Sequence, residues 1–393
     1  MTVAPQSRID LRRPNVLEVD LDAIAHNVAV LRSLVGPAKV FAALKADAYG
    51  FGLLPVAEIL SDTDIDALAF ADLHDAIEVR EHGIATPILI YGGPLVDSAT
   101  VEAIEQYDLT VTATDIDVAR AYSDHAKSVV SVFAEIDCGD GRFGVPIVEA
   151  LPFLREITAL RNIELAGVYT HLLMPPTGEL EASVGSRLRR FVAVVDEARR
   201  SGIVVPVAMA ASTSLLVQTR DYVLDAVDVG RFIYGLAAPA SDLEFSQLGL
   251  RTALISLTSR LVHCKTIERG DLPESVLSQF RPGMRIGVAP IGFADGLASW
   301  TCGSALVRGR RVPLIGEPSL EHARLDLTEV PDAQPADEVV FIGHQGNTEI
   351  TAEEVLIKQR AENAPPRLPI SIRGSVRRRY RRTGAPHGVR EPG

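Results

Sequence analysis

The sequence predicts an α/β protein, a parallel (β/α)8 TIM barrel followed by a C-terminal all-β domain, and three observations predict it. Eight short apolar runs alternate with amphipathic helical stretches across about 190 residues, which is the count and spacing of such a barrel. Beyond Ser241–Leu250 the helical stretches give way to close-set strands and turns. The first run of the barrel, Val40–Leu44, ends on a lysine, Lys45, and the C-terminal ends of parallel barrel strands are where such folds carry their chemistry.

Taken in order, residues 1–14 are polar, with Pro5, Arg8, Arg12 and Arg13, and read as a flexible N-terminal arm. Val16–Leu21 reads as a strand and Asp22–Leu34 has helical spacing. The barrel runs follow: Val40–Leu44, Ala67–Phe70, Ile88–Ile90, Leu109–Val111, Val129–Ile136, Ile163–Tyr169, Val205–Met209 and Ala226–Val229. The second domain shows strands at Ala253–Val262, Arg285–Pro290, Ala305–Val307, Arg311–Ile315 and Glu338–Ile342. From Arg377 the chain is arginine-rich and then Gly- and Pro-containing, which reads as a solvated end. The expected division is an arm at 1–14, a barrel at 15–240, a β domain at 241–380 and a flexible basic tail at 381–393.

Composition narrows the function. With 393 residues and 47% apolar content the chain can fill two cores. A net charge of −12 disfavours nucleic acid or an anionic membrane as partner. No apolar run has the length of a membrane span, and the polar start lacks a signal peptide's core, so the cytoplasm is the expected location. Three scattered cysteines, Cys138, Cys264 and Cys302, suggest neither a disulfide framework nor a metal cluster, and buried thiols are expected.

A lysine at a buried strand end has two readings. It can snorkel into solvent, or it can lose its proton in a dry site and serve as a nucleophile for an aldehyde. The stretch Leu44-Lys45-Ala46-Asp47-Ala48-Tyr49-Gly50-Phe51-Gly52 resembles the cofactor-lysine motif of the alanine racemase family, fold type III pyridoxal-phosphate (PLP) enzymes, with Phe51 in place of a histidine. Further matches run from about Val16 to Tyr380, so the chain is identified as a divergent member of that family. The resemblance implies PLP as cofactor, Lys45 as the PLP lysine and Tyr49 as a phosphate contact. It also implies a homodimer with shared active sites, and an amino acid as substrate.

Other positions take their roles from the same resemblance. Glu135–Gly144 places Arg142 near the cofactor ring and the substrate carboxylate, a task suited to a planar guanidinium, although an arginine paired on the surface is the alternative. Seven residues earlier, Glu135 replaces a lysine that the family often carbamylates, and is expected to hold Arg142. Gly167–His171 makes His171 a candidate participant, where a structural histidine is the bland reading. Leu173-Met174-Pro175-Pro176 departs from the family's loop.

For the phosphate, Ser212 and Thr213 offer hydroxyls, and Gly230 and Arg231 offer backbone N–H groups in a nest, although Thr213 also suits a helix cap. Two departures bear on the reaction. Asp228 stands where the family has the arginine facing the pyridine nitrogen, unless the register slips by three and Arg231 takes that place. Phe293 replaces the tyrosine that the family supplies from the neighbouring subunit, and has no hydroxyl. Leu320 and His322 occupy the loop expected near the substrate carboxylate, and a second phosphate tyrosine expected near Pro366 is absent.

A carboxylate at the ring nitrogen strengthens the electron sink and favours a stabilised quinonoid. The expected function is therefore a PLP enzyme acting at Cα by decarboxylation, transamination or Cα–Cβ cleavage. A racemase for alanine or another amino acid with a replacement base is the alternative, and a PLP-binding protein with little turnover is a third reading.

Overall fold

The computed structural model describes residues 12–172, 184–218, 223–236, 248–268, 279–297, 301–361 and 369–383. They divide into two compact units, Asp20–Ala253 and Leu254–Arg381, with residues 16–19 belonging to the second. The barrel unit thus runs on past residue 240: Ala253 N–H bonds to the Tyr234 carbonyl, and Asn27 holds the Arg251 backbone through both N–H and C=O. The expected loop at 173–176 and the expected boundary at 240 lie outside the described residues.

The barrel unit follows the expected alternation. Strand β1 (Val16–Asp20) leads into helix Leu21–Val35, capped by the Asp20 carboxylate on Ala23 N–H. The ring is then β2 (Lys39–Ala43), β3 (Ala67–Phe70), β4 (Ile88–Ile90), β5 (Val111–Ala113), β6 (Val130–Asp137), β8 (Ile163–Tyr169), β9 (Ala208–Ser212) and β10 (Ala226–Val229), with the two-residue β7 (Val145–Pro146) beside β6. Every ladder is parallel, β10 pairs with both β9 and β2, and a bridge between Leu89 and Thr110 links β4 to β5, which closes the ring. Two strands start two or more residues later than their apolar runs. Leu109 closes the preceding helix through Ile104 O, and the Val205 carbonyl is taken by the Arg199 side chain instead of a ladder.

The base of the barrel is solid. Phe41, Leu89, Phe133, Tyr169, Val207 and Met209 belong to one buried cluster, with Phe41 and Phe133 meeting edge to face at 5.8 Å. Gly167 makes room for it: a Cβ there would lie 2.4 Å from the Phe133 ring and 2.6 Å from the Val207 carbonyl.

The second unit is built on a sheet in the order β15-β14-β17-β11-β1-β19, using β11 (Leu254–Arg260), β14 (Ser304–Val307), β15 (Arg310–Pro313), β17 (Glu338–Gln345) and β19 (Arg377–Arg381). A three-stranded sheet, β12 (His263–Thr266), β13 (Arg285–Ala289) and β16 (Ala323–Asp326), and the short β18 (Thr348–Ile350) complete its strands among the described residues. The strand β1 pairs antiparallel with β11, as its expected partnership with this unit requires. The unit is the expected separate sheet domain, and it also carries the helix Ala352–Ala361. The arginines from Arg377 form the edge strand β19, fixed in part by Arg378 donating to the carbonyls of Ile372, Arg373 and Val376. Beyond it, Arg382 pairs with Asp62 at 2.8 Å within the barrel unit. Of the expected arm, residues 1–11 lie outside the described residues, and Arg13 pairs with Glu321 at 2.6 Å and Asp295 at 3.3 Å.

Of the cysteines, only Cys138 is buried; Cys264 and Cys302 are half-exposed, and all are free. No described helix is long and apolar enough to cross a membrane. Because the Gly167 site has no spare volume, Gly167→Ala is expected to lower stability by roughly 1–3 kcal/mol through overpacking. Urea titration of the purified variant measures this, and an unchanged midpoint would show that the floor yields.

Candidate active site

At the C-terminal end of the barrel lies a cavity of about 150 Å³, lined among others by Lys45, Tyr91, Glu135, Arg142, Tyr169, His171, Ser212 and Asp228. Lys45 reaches it through an uncommon backbone. Residues Ala46, Asp47, Ala48 and Tyr49 all have positive φ, at 56°, 55°, 51° and 58°, a left-handed turn containing no glycine. Left-handed backbone costs about 1–2 kcal/mol per L-residue, and such strain persists only where its surroundings impose it. Here the restraints are visible: Ala48 N–H bonds to Leu44 O, Gly50 N–H to Ala46 O, and Leu53 N–H to the Asp47 carboxylate at 2.8 Å. The turn puts the Tyr49 hydroxyl against Gly230, where a Cβ would lie 2.1 Å from its oxygen.

At the expected anion nest, the Thr213 hydroxyl accepts from Gly230 N–H at 3.1 Å and from Phe232 N–H at 3.4 Å. Arg231 opens a 3-10 turn beside Tyr49, and burial lowers its pKa. Arg231 is not among the cavity-lining residues, whereas Asp228, three positions earlier on β10, is. Asp228 Oδ1 accepts a 2.6 Å hydrogen bond from the Tyr91 hydroxyl. Burial raises the pKa of this carboxyl, and Lys45, the Tyr91 hydrogen bond, His171 and Arg142 all oppose the rise.

On the other side of the cavity, Glu135 is 3% exposed and accepts from the Tyr169 hydroxyl at 2.9 Å. Burial raises its pKa, with the Tyr169 bond and the Arg142 charge working against it. The expectation that Glu135 holds Arg142 is corrected: the carboxylate beside the Arg142 Nε is Asp140, at 3.6 Å. The reason is local. Asp137 accepts from the backbone N–H groups of Gly139 and Asp140, each at 2.7 Å, and this tight turn carries Asp140 back toward Arg142. The same Asp140 oxygen lies 3.4 Å from His171 Nδ1, without hydrogen-bond geometry. Burial and Arg142 lower the His171 pKa, which favours the neutral imidazole.

Phe293, Leu320 and His322 belong to the second unit and are exposed, the first two at 64% each. Their loops are joined through the backbone, with Phe293 N–H on Ser319 O and Ala294 N–H on Leu320 O, both at 2.8 Å. They do not line the barrel cavity, whose described lining comes wholly from the barrel unit. Pro366 lies outside the described residues. Sequence reasoning assigned no role to Tyr91, Tyr169 or Asp140. The first two carried a signal, as tyrosines at the ends of barrel strands whose hydroxyls need partners.

Residues 19–238 match the family model of the alanine racemase N-terminal domain, and residues 254–380 that of the alanine racemase C-terminal domain. The chain belongs to the alanine racemase family. An alanine racemase of Sorangium cellulosum is 33% identical over 363 residues, covering 87% of this chain and 93% of the relative. One from Halothermothrix orenii is 29% identical over 378 residues, covering 94% and 98%. Among solved structures, the alanine racemase of Bacillus anthracis with bound L-Ala-P is 26% identical with a TM-score of 0.84, covering 99% of each chain.

Enzymes of the alanine racemase family depend on PLP, and this chain is a PLP enzyme of that family. Its residues fit the cofactor. The half-buried Arg231 guanidinium has no carboxylate or hydrogen-bond partner among the described residues, and a cation in that setting calls for an anion such as the cofactor phosphate. The buried His171 Nδ1 likewise lacks a hydrogen-bond partner among the described residues.

An acid whose folded-state pKa stands above its unfolded value costs stability as pH rises past the unfolded value, and the cost is complete above the folded one. Glu135 is such an acid, since its pKa is raised. Glu135→Gln in cofactor-free protein is therefore expected to raise the thermal midpoint at pH 8 and leave it nearly unchanged at pH 4. Scanning calorimetry at the two pH values checks it, and a lowered midpoint at pH 8 would mean the charge is needed for folding.

Proposed function

We propose that this protein is a PLP-dependent amino-acid racemase whose proton-transfer groups are Lys45 and His171, working as a cytoplasmic homodimer. The observation that carries the reading is that both side chains line one cavity, with His171 held toward its neutral form, while Phe293 lacks the hydroxyl of an ordinary second base. The relatives are named alanine racemases, which favours this over the bond-cleaving reading of the sequence. When bound, PLP supplies an electron-withdrawing ring that acidifies the substrate's Cα–H. Lys45 would hold its aldehyde; Tyr49, Thr213, Gly230 and Arg231 would hold its phosphate; Asp228 would face its ring nitrogen. Arg142 would orient the substrate carboxylate, itself positioned by Asp140. The exposed Phe293, Leu320 and His322 suit a surface that a second copy places over the cavity, and the free cysteines suit a reducing compartment.

One observation favours a second reading, in which a bond other than Cα–H is broken: Asp228 is a carboxylate where the family resemblance expects arginine, and it strengthens the electron sink. A single experiment separates them. Incubation with each enantiomer of alanine and of other amino acids in deuterated water is expected to give both enantiomers with deuterium at Cα. In the same assay His171→Phe is expected to lose a factor of about 10²–10⁴ while keeping the bound-cofactor absorbance. Release of carbon dioxide, a keto acid or an aldehyde from every tested amino acid, with no inversion, would rule the racemase out in favour of the second reading.

A further inference from the structure

Both carboxylates deep in the cavity are met by a tyrosine hydroxyl: Tyr169 on Glu135 and Tyr91 on Asp228. Tyr91 stands out because its two halves have separate tasks. Its ring packs against the barrel's buried cluster and meets Tyr169 edge on at 6.1 Å. Its hydroxyl makes the 2.6 Å bond to Asp228 Oδ1, and the Lys45 amine lies 5.8 Å from the ring centroid. Packing alone calls for no hydroxyl. Burial and the neighbouring Asp228 both hold the Tyr91 proton in place, so the direction of donation is fixed from Tyr91 to Asp228.

We propose that Tyr91 is a positioning residue that keeps Asp228 ionised and occupies its Oδ1, leaving Oδ2 for the cofactor's ring nitrogen. This rests on the reading above in which Asp228 faces that nitrogen. A carboxylate and a pyridine share one proton, and whichever is more basic keeps it. Burial makes Asp228 more basic and so draws the proton toward it, and the groups opposing burial are Lys45, Tyr91, His171 and Arg142. Of these, Tyr91 makes a short direct bond and carries no charge, so its hydroxyl can be removed without altering the net charge of the cavity. Without it the proton moves from the ring nitrogen to Asp228, the pair's total charge staying the same.

The test compares the wild-type holoenzyme, Tyr91→Phe and Asp228→Asn, each loaded with PLP labelled with 15N in the ring, by the chemical shift of that nitrogen. A protonated nitrogen in the wild type, moving toward the unprotonated value in Tyr91→Phe and further in Asp228→Asn, is the expected result. If Asp228→Asn moves the signal and Tyr91→Phe does not, the proposal for Tyr91 falls and the reading of Asp228 stands. If Asp228→Asn leaves it unmoved, that reading fails and the proposal with it. A second measurement needs no cofactor: with 13C-labelled aspartate in the apoprotein, the Asp228 carboxyl of Tyr91→Phe should titrate about one to two pH units higher than in the wild type. An unchanged titration overturns the proposal whatever the variant's affinity for PLP.

Discussion

Two carboxylates sunk beside one cavity, Glu135 and Asp228, are the constraint on which the arrangement of the site depends. An ionised acid away from water is tolerated only if hydrogen bonds and opposite charges replace hydration. Each receives a tyrosine hydroxyl, and each lies in the field of Arg142. Those tyrosines must come from strands whose own ends are fixed, so the solid floor below them becomes part of the electrostatics. Phe133 filling the space opposite Gly167 is thus linked to the charge of the groups above it.

Much of this was legible in the sequence, and the limits have physical causes. The barrel strands are short buried runs bounded by turns, a pattern that apolar periodicity reads well; Ala67–Phe70, Ile88–Ile90, Ile163–Tyr169 and Ala226–Val229 fall where expected. The run at Val205 misled because an apolar residue can be buried while its carbonyl serves an arginine side chain. The strand β19 was hidden because alternating burial cannot show in a stretch where both faces carry arginine. Helix Ala352–Ala361 was overlooked among the strands around it.

The site divides similarly. Lys45, His171 and Asp228 stand at strand ends and were found there, as was the group around Gly230. Asp140 was not, since its place beside Arg142 and His171 follows from a turn closed by three-dimensional hydrogen bonds to Asp137. Glu135 was found but given the wrong neighbour, because spacing along the chain says which residues share a strand and not which loop folds back to meet them.

The left-handed turn after Lys45 has a consequence for how such proteins are recognised at all. Branching at Cβ makes a left-handed residue a steric outlier, whereas glycine, asparagine and aspartate enter that region most readily. None of the four left-handed residues from Ala46 to Tyr49 is branched at Cβ, and Asp47 is of the favoured kind. What looks in the sequence like a signature of reactivity is thus in good part a spelling of backbone handedness: the lysine is one letter, and its neighbours are chosen for the path they let the chain take.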